Sequence, residues 1–535
     1  MIEQWCRGIR PYILLGLLAL ALDLPGIGAL PVLDRDEARF AQATRQMLET
    51  GDFLRIRFQD EARNKKPAGI YWLQAASVAA FSDAESNAIW PYRVPSLLGG
   101  IAAVLLAFGL GQGLVGRPAA LIGAGLLAAT LEVSVEAHIA KTDAVLLAAA
   151  VAAQGALGLI YRAARAGEAV PWRWPLLFWL AQAAAIYLKG PVIPILSVLT
   201  VLGLCLADRD ARWLRALRAQ WGAPLLIVAV GPWLYAIQRA TAGQFLSQSV
   251  GGDLFAKLIG GEEAHGAPPL THLLILLAGF WPATIFLGDV IAHGWHRRRD
   301  AAMRFLIAWA VPFWILVELV PTKLPQYLLP VYPALTLAAG AALLAGDGKW
   351  RRHDLLFGAV GVLVALCLMA LLVDGPIRYG GGLDYVGVAA AIGLAILAVL
   401  LIAKRKSALA PRLAICCSLV VFIPLGQFVA PRLDQLFVSR QAAALVTRKP
   451  VAVVGYSEPS IVFSLGTATK LLSAQKAADA LSHREVAGVL VERRQEQAFR
   501  DAMSRLGATP RAAGVAGGLD YSTGKPAMLT LFRAE

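Results

Sequence analysis

A cluster of carboxylates lies directly after the first hydrophobic segment of the chain. Asp34, Asp36 and Glu37 follow one another with only Arg35 between them. Such a cluster could supply a catalytic base, or it could hold a metal ion, because carboxylate oxygens are ligands for divalent cations. It could equally be an ordinary helix start, since acidic side chains near a helix N-terminus are stabilised by the helix dipole. The spacing alone leaves these three interpretations open.

Two adjacent lysines precede a proline in the same segment. Lys65 and Lys66 stand directly before Pro67, a residue that suits the first turn of a helix. The lysine charges and the free N–H groups of a helix start would then meet at one point, which predicts a site for an anion such as a phosphate. The alternative is that both lysines bind anionic lipid headgroups without specificity.

Further polar residues stand at the ends of hydrophobic segments. A lysine in such a position commonly extends its ammonium to the membrane surface and needs no other role. Charges at the edge of a span are nevertheless costly, and they tend to line cavities. All of these residues fall on one side of the predicted membrane: Asp143, Lys189, Lys323 and Tyr327. Their convergence predicts a polar site at that face more strongly than any one of them does.

A possible metal ligand set lies in a second outer segment. Glu262, Glu263 and His265 are close enough in sequence to share an ion. The alternative is a solvated histidine in a glycine-rich loop. Both interpretations remain open on spacing alone.

The composition indicates what must position these residues. The chain is 58% hydrophobic and 16% charged, with a mean hydropathy of +0.60, whereas soluble domains contain about 25% charged residues. Blocks near the length that crosses a bilayer as a helix predict about thirteen spans. They lie at 11–30, 93–113, 118–135, 143–161, 174–188, 191–206, 221–239, 271–292, 303–320, 325–345, 355–373, 386–403 and 412–430.

The distribution of basic residues predicts the orientation. The formal charge of +14 does not indicate nucleic-acid binding, because most Lys and Arg fall in short loops between hydrophobic blocks. Alternate loops carry clusters such as Arg297, Arg298 and Arg299, whereas the opposite loops carry about one base each. The clustered loops are therefore predicted to be cytoplasmic, and an odd number of spans places the C-terminal tail outside.

Three outer segments are longer than a turn requires: residues 31–92, the glycine-rich residues 240–270 that carry the possible metal ligands, and residues 431–535. Residues 31–92 show helical patterns from Arg35 to Glu49, with Gly51 as a stop signal, and from Pro67 to Phe81, both suited to lying in the membrane interface. Residues 431–535 combine short β-branched runs with a helical stretch, which predicts a small α/β domain. The predicted fold is thus an all-α polytopic membrane domain over 1–430 with interfacial helices, and a soluble α/β domain over 431–535.

An ordered set of motifs resembles a known family. Asp36-Glu37-Ala38-Arg39-Phe40, Lys66-Pro67-Ala68-Gly69-Ile70-Tyr71-Trp72 and Arg93-Val94-Pro95-Ser96 resemble its D-E-x-R-Y, K-P-x-x-x-Y-W and R-x-P-S elements. Thr142-Asp143, Lys189-Gly190-Pro191 and the segment from Lys323 to Pro330 resemble three further landmarks in the same order. The family is the GT-C glycosyltransferases similar to protein O-mannosyltransferases, on the branch of the bacterial 4-amino-4-deoxy-L-arabinose lipid A transferase.

The resemblance implies a set of roles. Asp36 would be the catalytic carboxylate and Asp143 a second essential acid, while Lys66, Lys189 and Tyr327 would contact a polyprenyl phosphate donor. We add Lys65, Arg93 and Lys323 to the expected donor-binding residues, and Glu37, Glu262 and His265 as candidate ligands of a possible divalent metal. Two residues depart from the pattern: Lys65 stands where the arabinose transferase has a glutamate, and Phe40 where the family has tyrosine.

The predicted function is transfer of a sugar from undecaprenyl phosphate to a lipid, glycan or protein acceptor, such as lipid A. The predicted location is the bacterial inner membrane, among membrane lipids, with the active site facing the periplasm. No cofactor is firmly expected, and no nucleic-acid partner. The alternative is a flippase or transporter for lipid-linked sugars, which usually shows repeated halves with interrupted helices; no such repeat is evident in the sequence.

Overall fold

The computed structural model describes residues 7–255, 268, 270–346 and 352–534. Its hydrophobic segments are helical, as expected where lipid cannot satisfy backbone polar groups and each segment must do so internally. Before residue 200 the principal helices are Arg10–Asp23, Arg35–Thr50, Gly69–Phe81, Trp90–Val115, Arg117–Ala129, Leu131–Ala137, Asp143–Arg165, Arg173–Lys189 and Val192–Asp208. They continue with Ala219–Ala240, Thr271–Gly279, Leu287–Arg297, Ala301–Leu319, Tyr332–Ala345, Arg352–Tyr379, Tyr385–Ala403 and Ala410–Pro424.

The protein is a multi-pass membrane protein. Within the described residues, 8 helices are long and apolar enough to cross a membrane, or up to 10 if each of two bent pairs counts as one span. Every predicted span overlaps a helical segment, but Arg10–Asp23, Arg173–Lys189 and Val192–Asp208 contain only 14, 17 and 17 residues. The total of about thirteen spans therefore stays a prediction.

Local sequence signals set the bounds of the first outer helix. Asp34 caps the Arg35–Thr50 helix, because its carboxylate accepts a hydrogen bond of 2.6 Å from the backbone N–H of Asp36. Gly51 ends the helix in the left-handed conformation with φ of 69°. The second outer helix begins at Gly69 rather than at the predicted Pro67, and the short antiparallel strands β1 (Arg57–Phe58) and β2 (Glu61–Ala62) lie between the two helices.

The C-terminal region contains a five-stranded mixed sheet. Its strands are β3 (Val451–Val454), β4 (Lys470–Leu471), β5 (Gly488–Glu492), β6 (Arg511–Asp520) and β7 (Lys525–Arg533), in the order β4-β3-β5-β7-β6. β3 is parallel to β4 and β5, whereas β7 is antiparallel to β5 and β6. Helices Pro459–Leu465, Ala474–Ser482 and Arg493–Arg505 accompany the sheet. The strands predicted from the sequence at Val451–Val454, Val489–Val491 and Met528–Phe532 correspond to β3, β5 and β7, whereas β4 and β6 were not predicted.

The C-terminal domain covers the outer side of the Arg35–Thr50 helix. Arg45 is buried, donates a 2.7 Å hydrogen bond to the carbonyl of Phe463, and lies 4.5 Å from the centre of that phenyl ring. Gln42 donates a 2.7 Å hydrogen bond to Thr467. Because buried polar groups need such partners, these contacts fix the first outer helix between the membrane helices and the C-terminal domain.

Candidate active site

Asp36 lies in the first turn of the helix that Asp34 caps. The Asp36 side chain is half exposed, and its Oδ1 lies 3.3 Å from Nη1 of Arg39 and 3.6 Å from Nη2 of Arg63. Arg39 stands one helical turn further along, so its position is set by the helix itself. Arg63 comes from the loop after β2 and was not identified from the sequence.

The surrounding charges keep Asp36 in its anionic form. Burial raises the pKa of a carboxyl group, but here the positive charges of Arg63 and Arg39 outweigh burial and hold the pKa of Asp36 below its ordinary value of 3.8. Asp36 is consequently ionised across the physiological pH range. An accessible carboxylate in this state can accept or orient a proton of a bound acceptor.

The neighbouring carboxylate, Glu37, has a different place. It is fully buried, and its two oxygens accept hydrogen bonds of 2.8 and 3.0 Å from Nε and Nη2 of Arg93. The backbone N–H groups of Leu33 and Ala140 donate two more, at 2.8 and 2.9 Å. With its oxygens bonded to four N–H groups, Glu37 does not fit the predicted role of metal ligand.

Arg93 also differs from its predicted role in donor binding. Besides Glu37, its guanidinium bonds to the carbonyls of Ile27, Leu30 and Pro31 at 3.0, 2.7 and 2.6 Å. The side chain is fully buried, and every N–H of the guanidinium has an acceptor. Arg93 therefore ties the end of the first hydrophobic segment to the first outer helix, with all of its guanidinium N–H groups bonded within the protein.

Lys141 connects the carboxylate cluster to a buried acid. Its Nζ lies 3.2 Å from Oδ2 of Asp34 and 3.1 Å from Oε1 of Glu136. Burial alone would lower the pKa of this lysine, but Glu136 and Asp34 hold it well above 10.5. Lys141 therefore stays charged beside Asp34. Glu136 was not identified from the sequence, where it looks like a polar residue within a hydrophobic segment.

Four of the predicted donor-binding residues line one cavity of about 160 Å³. Lys65 and Lys66 reach it from the loop before the second outer helix, and Lys189 from the C-terminal end of the Arg173–Lys189 helix. Tyr327 comes from the short 3-10 turn Pro325–Tyr327. We call this the lysine cavity. Its apolar wall is formed by Leu146, Ile195, Phe313, Leu316, Val317 and Val320, beside Pro67, Pro191, Val192 and Pro330.

Lys189 is held at the cavity from two sides. Its ammonium forms an ion pair with Asp143, the first residue of a membrane helix, and it lies 5.7 Å from the centre of the Tyr327 ring. An ammonium over a tyrosine face is attracted by the ring quadrupole. The structure thus brings together three residues that the sequence places far apart. Asp143 serves at least as the partner that positions Lys189.

Lys323 has a partner of its own outside this group. Its Nζ bonds to the backbone carbonyl of Glu318 and lies 3.3 Å from the carboxylate of the same residue. Lys323 is not among the residues that line the lysine cavity. The predicted contact of Lys323 with the donor is therefore not supported by its position.

The described residues include only part of the candidate metal ligand set. Glu262 and His265 lie outside the described residues. Among the residues that the structure describes, no group of three or more His, Cys, Asp or Glu side chains could hold a metal ion. Glu37, the third candidate, is bonded to Arg93 and to two backbone N–H groups.

Comparison with known proteins adds to this geometry. Residues 65–235, which include Lys65, Lys66 and Lys189, match the family described as dolichyl-phosphate-mannose-protein mannosyltransferase. The chain is 26% identical over 379 residues to an undecaprenyl phosphate-alpha-4-amino-4-deoxy-L-arabinose arabinosyl transferase of Pectobacterium carotovorum, covering 69% of this chain and 66% of that protein. A relative in Pseudomonas fluorescens with the same description is 29% identical, covering 63% and 60%.

A solved structure matches the whole fold. The crystal structure of ArnT from Cupriavidus metallidurans bound to undecaprenyl phosphate superposes with a TM-score of 0.71 at 19% identity, covering 97% of both chains. The chain shares the fold of this transferase. This confirms the predicted GT-C fold, and the sequence matches agree with the predicted branch of the arabinose transferases.

A second GT-C structure is less similar to this chain. The archaeal oligosaccharyltransferase AglB from Archaeoglobus fulgidus matches with a TM-score of 0.53 at 13% identity, covering 94% of this chain and 71% of that one. At such identities the likeness concerns the fold. The chain spans about 60% to 66% of the length of the curated transferases that it matches.

Proposed function

We propose that this GT-C glycosyltransferase moves a sugar from undecaprenyl phosphate to an acceptor at the periplasmic face of the bacterial inner membrane. The observation that carries the proposal is the lysine cavity, whose lining combines Lys65, Lys66 and Lys189 with an apolar wall. A polyprenyl phosphate has the same two parts, a charged phosphate joined to an apolar chain. The two described relatives are named for transfer from undecaprenyl phosphate, which supports the same donor.

The lysines and Asp36 have different roles in the transfer reaction. During transfer the acceptor oxygen forms a bond to the anomeric carbon, and the bond from that carbon to the carrier phosphate oxygen breaks. Negative charge develops on the departing phosphate, and Lys66 and Lys189 stabilise it; fixed charges of this kind often contribute more to catalysis than any other effect. The proton of the acceptor passes to Asp36, a step worth roughly 10²–10⁴-fold.

An acceptor that is already ionised would use Asp36 differently. A phosphate group of lipid A carries no proton that must be removed before attack, so Asp36 would orient it through the neighbouring cations. Arg39 and Arg63 flank Asp36 and are placed to hold an anionic acceptor. A hydroxyl acceptor would instead bond directly to the Asp36 carboxylate.

We also propose that transfer requires no divalent metal. Lys65 lines the lysine cavity and supplies there the positive charge for which a metal would otherwise be needed. The test is the activity of the purified protein after exhaustive chelation, which we expect to be retained. Loss with chelator and recovery with zinc, manganese or magnesium would contradict the proposal and direct attention to Glu262 and His265.

The test of function is transfer by the purified full-length protein in detergent or nanodiscs. The substrates are undecaprenyl phosphate-linked sugars and a panel of acceptors that includes lipid A, and the readouts are labelled acceptor and released undecaprenyl phosphate. We expect Asp36→Asn to abolish both products and Asp52→Asn, in the same outer segment, to retain them.

The same preparation in proteoliposomes distinguishes the alternative function. Movement of intact donor between leaflets, with no released undecaprenyl phosphate for any acceptor, would overturn the proposal in favour of a flippase. Release of undecaprenyl phosphate that depends on Asp36 would exclude that alternative.

A further inference from the structure

The lysine cavity contains charges of one sign. Lys65, Lys66 and Lys189 line it, and none of the described residues that line it is an Asp or a Glu. The other polar groups at its surface are those of Ser249, Gln326 and Tyr327. Low-dielectric walls concentrate the field of such charges within a cleft. The cavity therefore attracts anions and repels cations.

The two carboxylates assigned to the active site are already paired. Asp143 forms an ion pair with Lys189, and Asp36 lies between Arg39 and Arg63 at 3.3 and 3.6 Å. A cationic ligand would need a carboxylate to compensate for the loss of its hydration. Recruiting Asp143 or Asp36 would leave Lys189 or the two arginines without their counter-charge.

The remaining acids of the cluster are engaged elsewhere. Asp34 and Glu136 share the ammonium of Lys141, at 3.2 and 3.1 Å. Lys141 and Glu136 are both buried, so this arrangement cannot be exchanged for a ligand contact without exposing a buried charge. Glu132, which also interacts with Lys141, does not line the cavity. The described lining thus offers no carboxylate for an ammonium group.

The charge of the donor also bears on which sugar the site accepts. A sugar linked to a polyprenyl phosphate is a phosphodiester with one negative charge, which two or more lysines already balance. Resting on the proposed function, we propose that the transferred sugar carries no positive charge and is a neutral or an acidic sugar. In this respect it differs from the 4-amino-4-deoxy-L-arabinose for which the described relatives are named, because that sugar bears an amine that is protonated at neutral pH.

Competition between matched donors tests this inference with the full-length protein. The donors are undecaprenyl phosphate-linked 4-amino-4-deoxy-L-arabinose, the same sugar with its amine acylated, a neutral hexose and a uronic acid. Like charges brought together across an interface are costly, so we expect kcat/KM for the charged amino sugar to be roughly tenfold below that of the acylated form. Raising the pH through the pKa of the amine should narrow this ratio, since the amine loses its charge.

Lys65 is the position that should control the preference, because it lines the cavity yet is exposed. Lys65→Glu is expected to shift the ratio towards the amino sugar by roughly tenfold, and Lys65→Gln by less. Lys476→Glu, an exposed charge reversal in the C-terminal domain, should leave it unchanged.

The outcomes separate this inference from the proposed function. Preference of the unmodified protein for the amino sugar, or a ratio that Lys65→Glu does not change, would overturn the inference while leaving transfer intact. Absence of transfer from all four donors would instead overturn the proposed function.

Discussion

Replacing Glu37 with glutamine changes a single functional group at a point where four N–H donors converge. One oxygen accepts from Nε of Arg93 and from the backbone of Ala140. The other accepts from Nη2 of Arg93 and from the backbone of Leu33. In either amide orientation, the new NH₂ group faces two donors in place of an acceptor. The charge of Arg93 also remains, fully buried, without its counter-charge.

The expected cost follows from that geometry. Each buried donor that loses its acceptor costs about 1–3 kcal/mol, and removing one partner of a buried ion pair costs about 3–5 kcal/mol. These figures describe overlapping parts of the same loss, so we expect Glu37→Gln to lower the free energy of unfolding by about 3–5 kcal/mol. Asp36→Asn, one residue earlier but half exposed, should change it by less than about 0.5 kcal/mol.

The assay measures stability and activity separately for the two variants. Thermal inactivation of purified protein in detergent reports stability as a rate, since unfolding of a large membrane protein is rarely reversible. Glu37→Gln should inactivate much faster at elevated temperature while its folded fraction binds undecaprenyl phosphate with unchanged affinity. Asp36→Asn should be as stable as the unmodified protein and inactive. A Glu37→Gln protein of full stability and no activity would refute the assignment of Glu37 to structure.

Three further predictions concern the donor site, the pH profile and the topology. Lys66→Ala and Lys189→Ala should each weaken binding of undecaprenyl phosphate, measured by calorimetry, whereas Lys476→Ala should not; unchanged affinity would remove both lysines from the site. Among the cations that lower the pKa of Asp36, Arg63 has the largest effect. Arg63→Gln should therefore raise that pKa and move the acid limb of the kcat/KM profile to higher pH. An unchanged profile would contradict the pairing of Arg63 with Asp36. A phosphatase fused to the C-terminus should be active in the periplasm, and an active cytoplasmic reporter there would contradict the orientation.

Rules that act over short stretches of sequence account for what could be predicted. Long uncharged blocks located the helices because lipid leaves few other structures possible. Asp34 and Gly51 marked the two ends of the first outer helix by capping chemistry, and both residues cap it. The β-branched runs at Val451–Val454 and Val489–Val491 located the two central parallel strands. β4 contains two residues and β6 is rich in glycine and alanine, so neither has such a pattern.

The roles of adjacent acids could not be predicted, because they depend on tertiary contacts. Asp36 and Glu37 are chemically alike, but successive helical residues point about 100° apart. One therefore meets Arg39 and Arg63, and the other meets Arg93 in the protein interior. Nothing in the local sequence around Arg63 distinguishes it from Arg55 and Arg57, the other arginines between the two outer helices. Its role appears only when the loop after β2 is folded against the first outer helix.

A close helix contact explains why the two halves of the lysine cavity can meet at all. Gly69 begins the second outer helix three residues after Lys66, and Tyr187 lies two residues before Lys189 in a membrane helix. A Cβ at Gly69 would stand 2.6 Å from the carbonyl oxygen of Tyr187, which is closer than real side chains approach a backbone atom. The backbone of Tyr187 cannot give way without moving the end of its helix, and that end carries Lys189. Glycine is thus required at position 69 by the same approach that brings Lys66 and Lys189 to one cavity. The small residue of the Lys66-Pro67-Ala68-Gly69 motif therefore serves the site through packing rather than through chemistry.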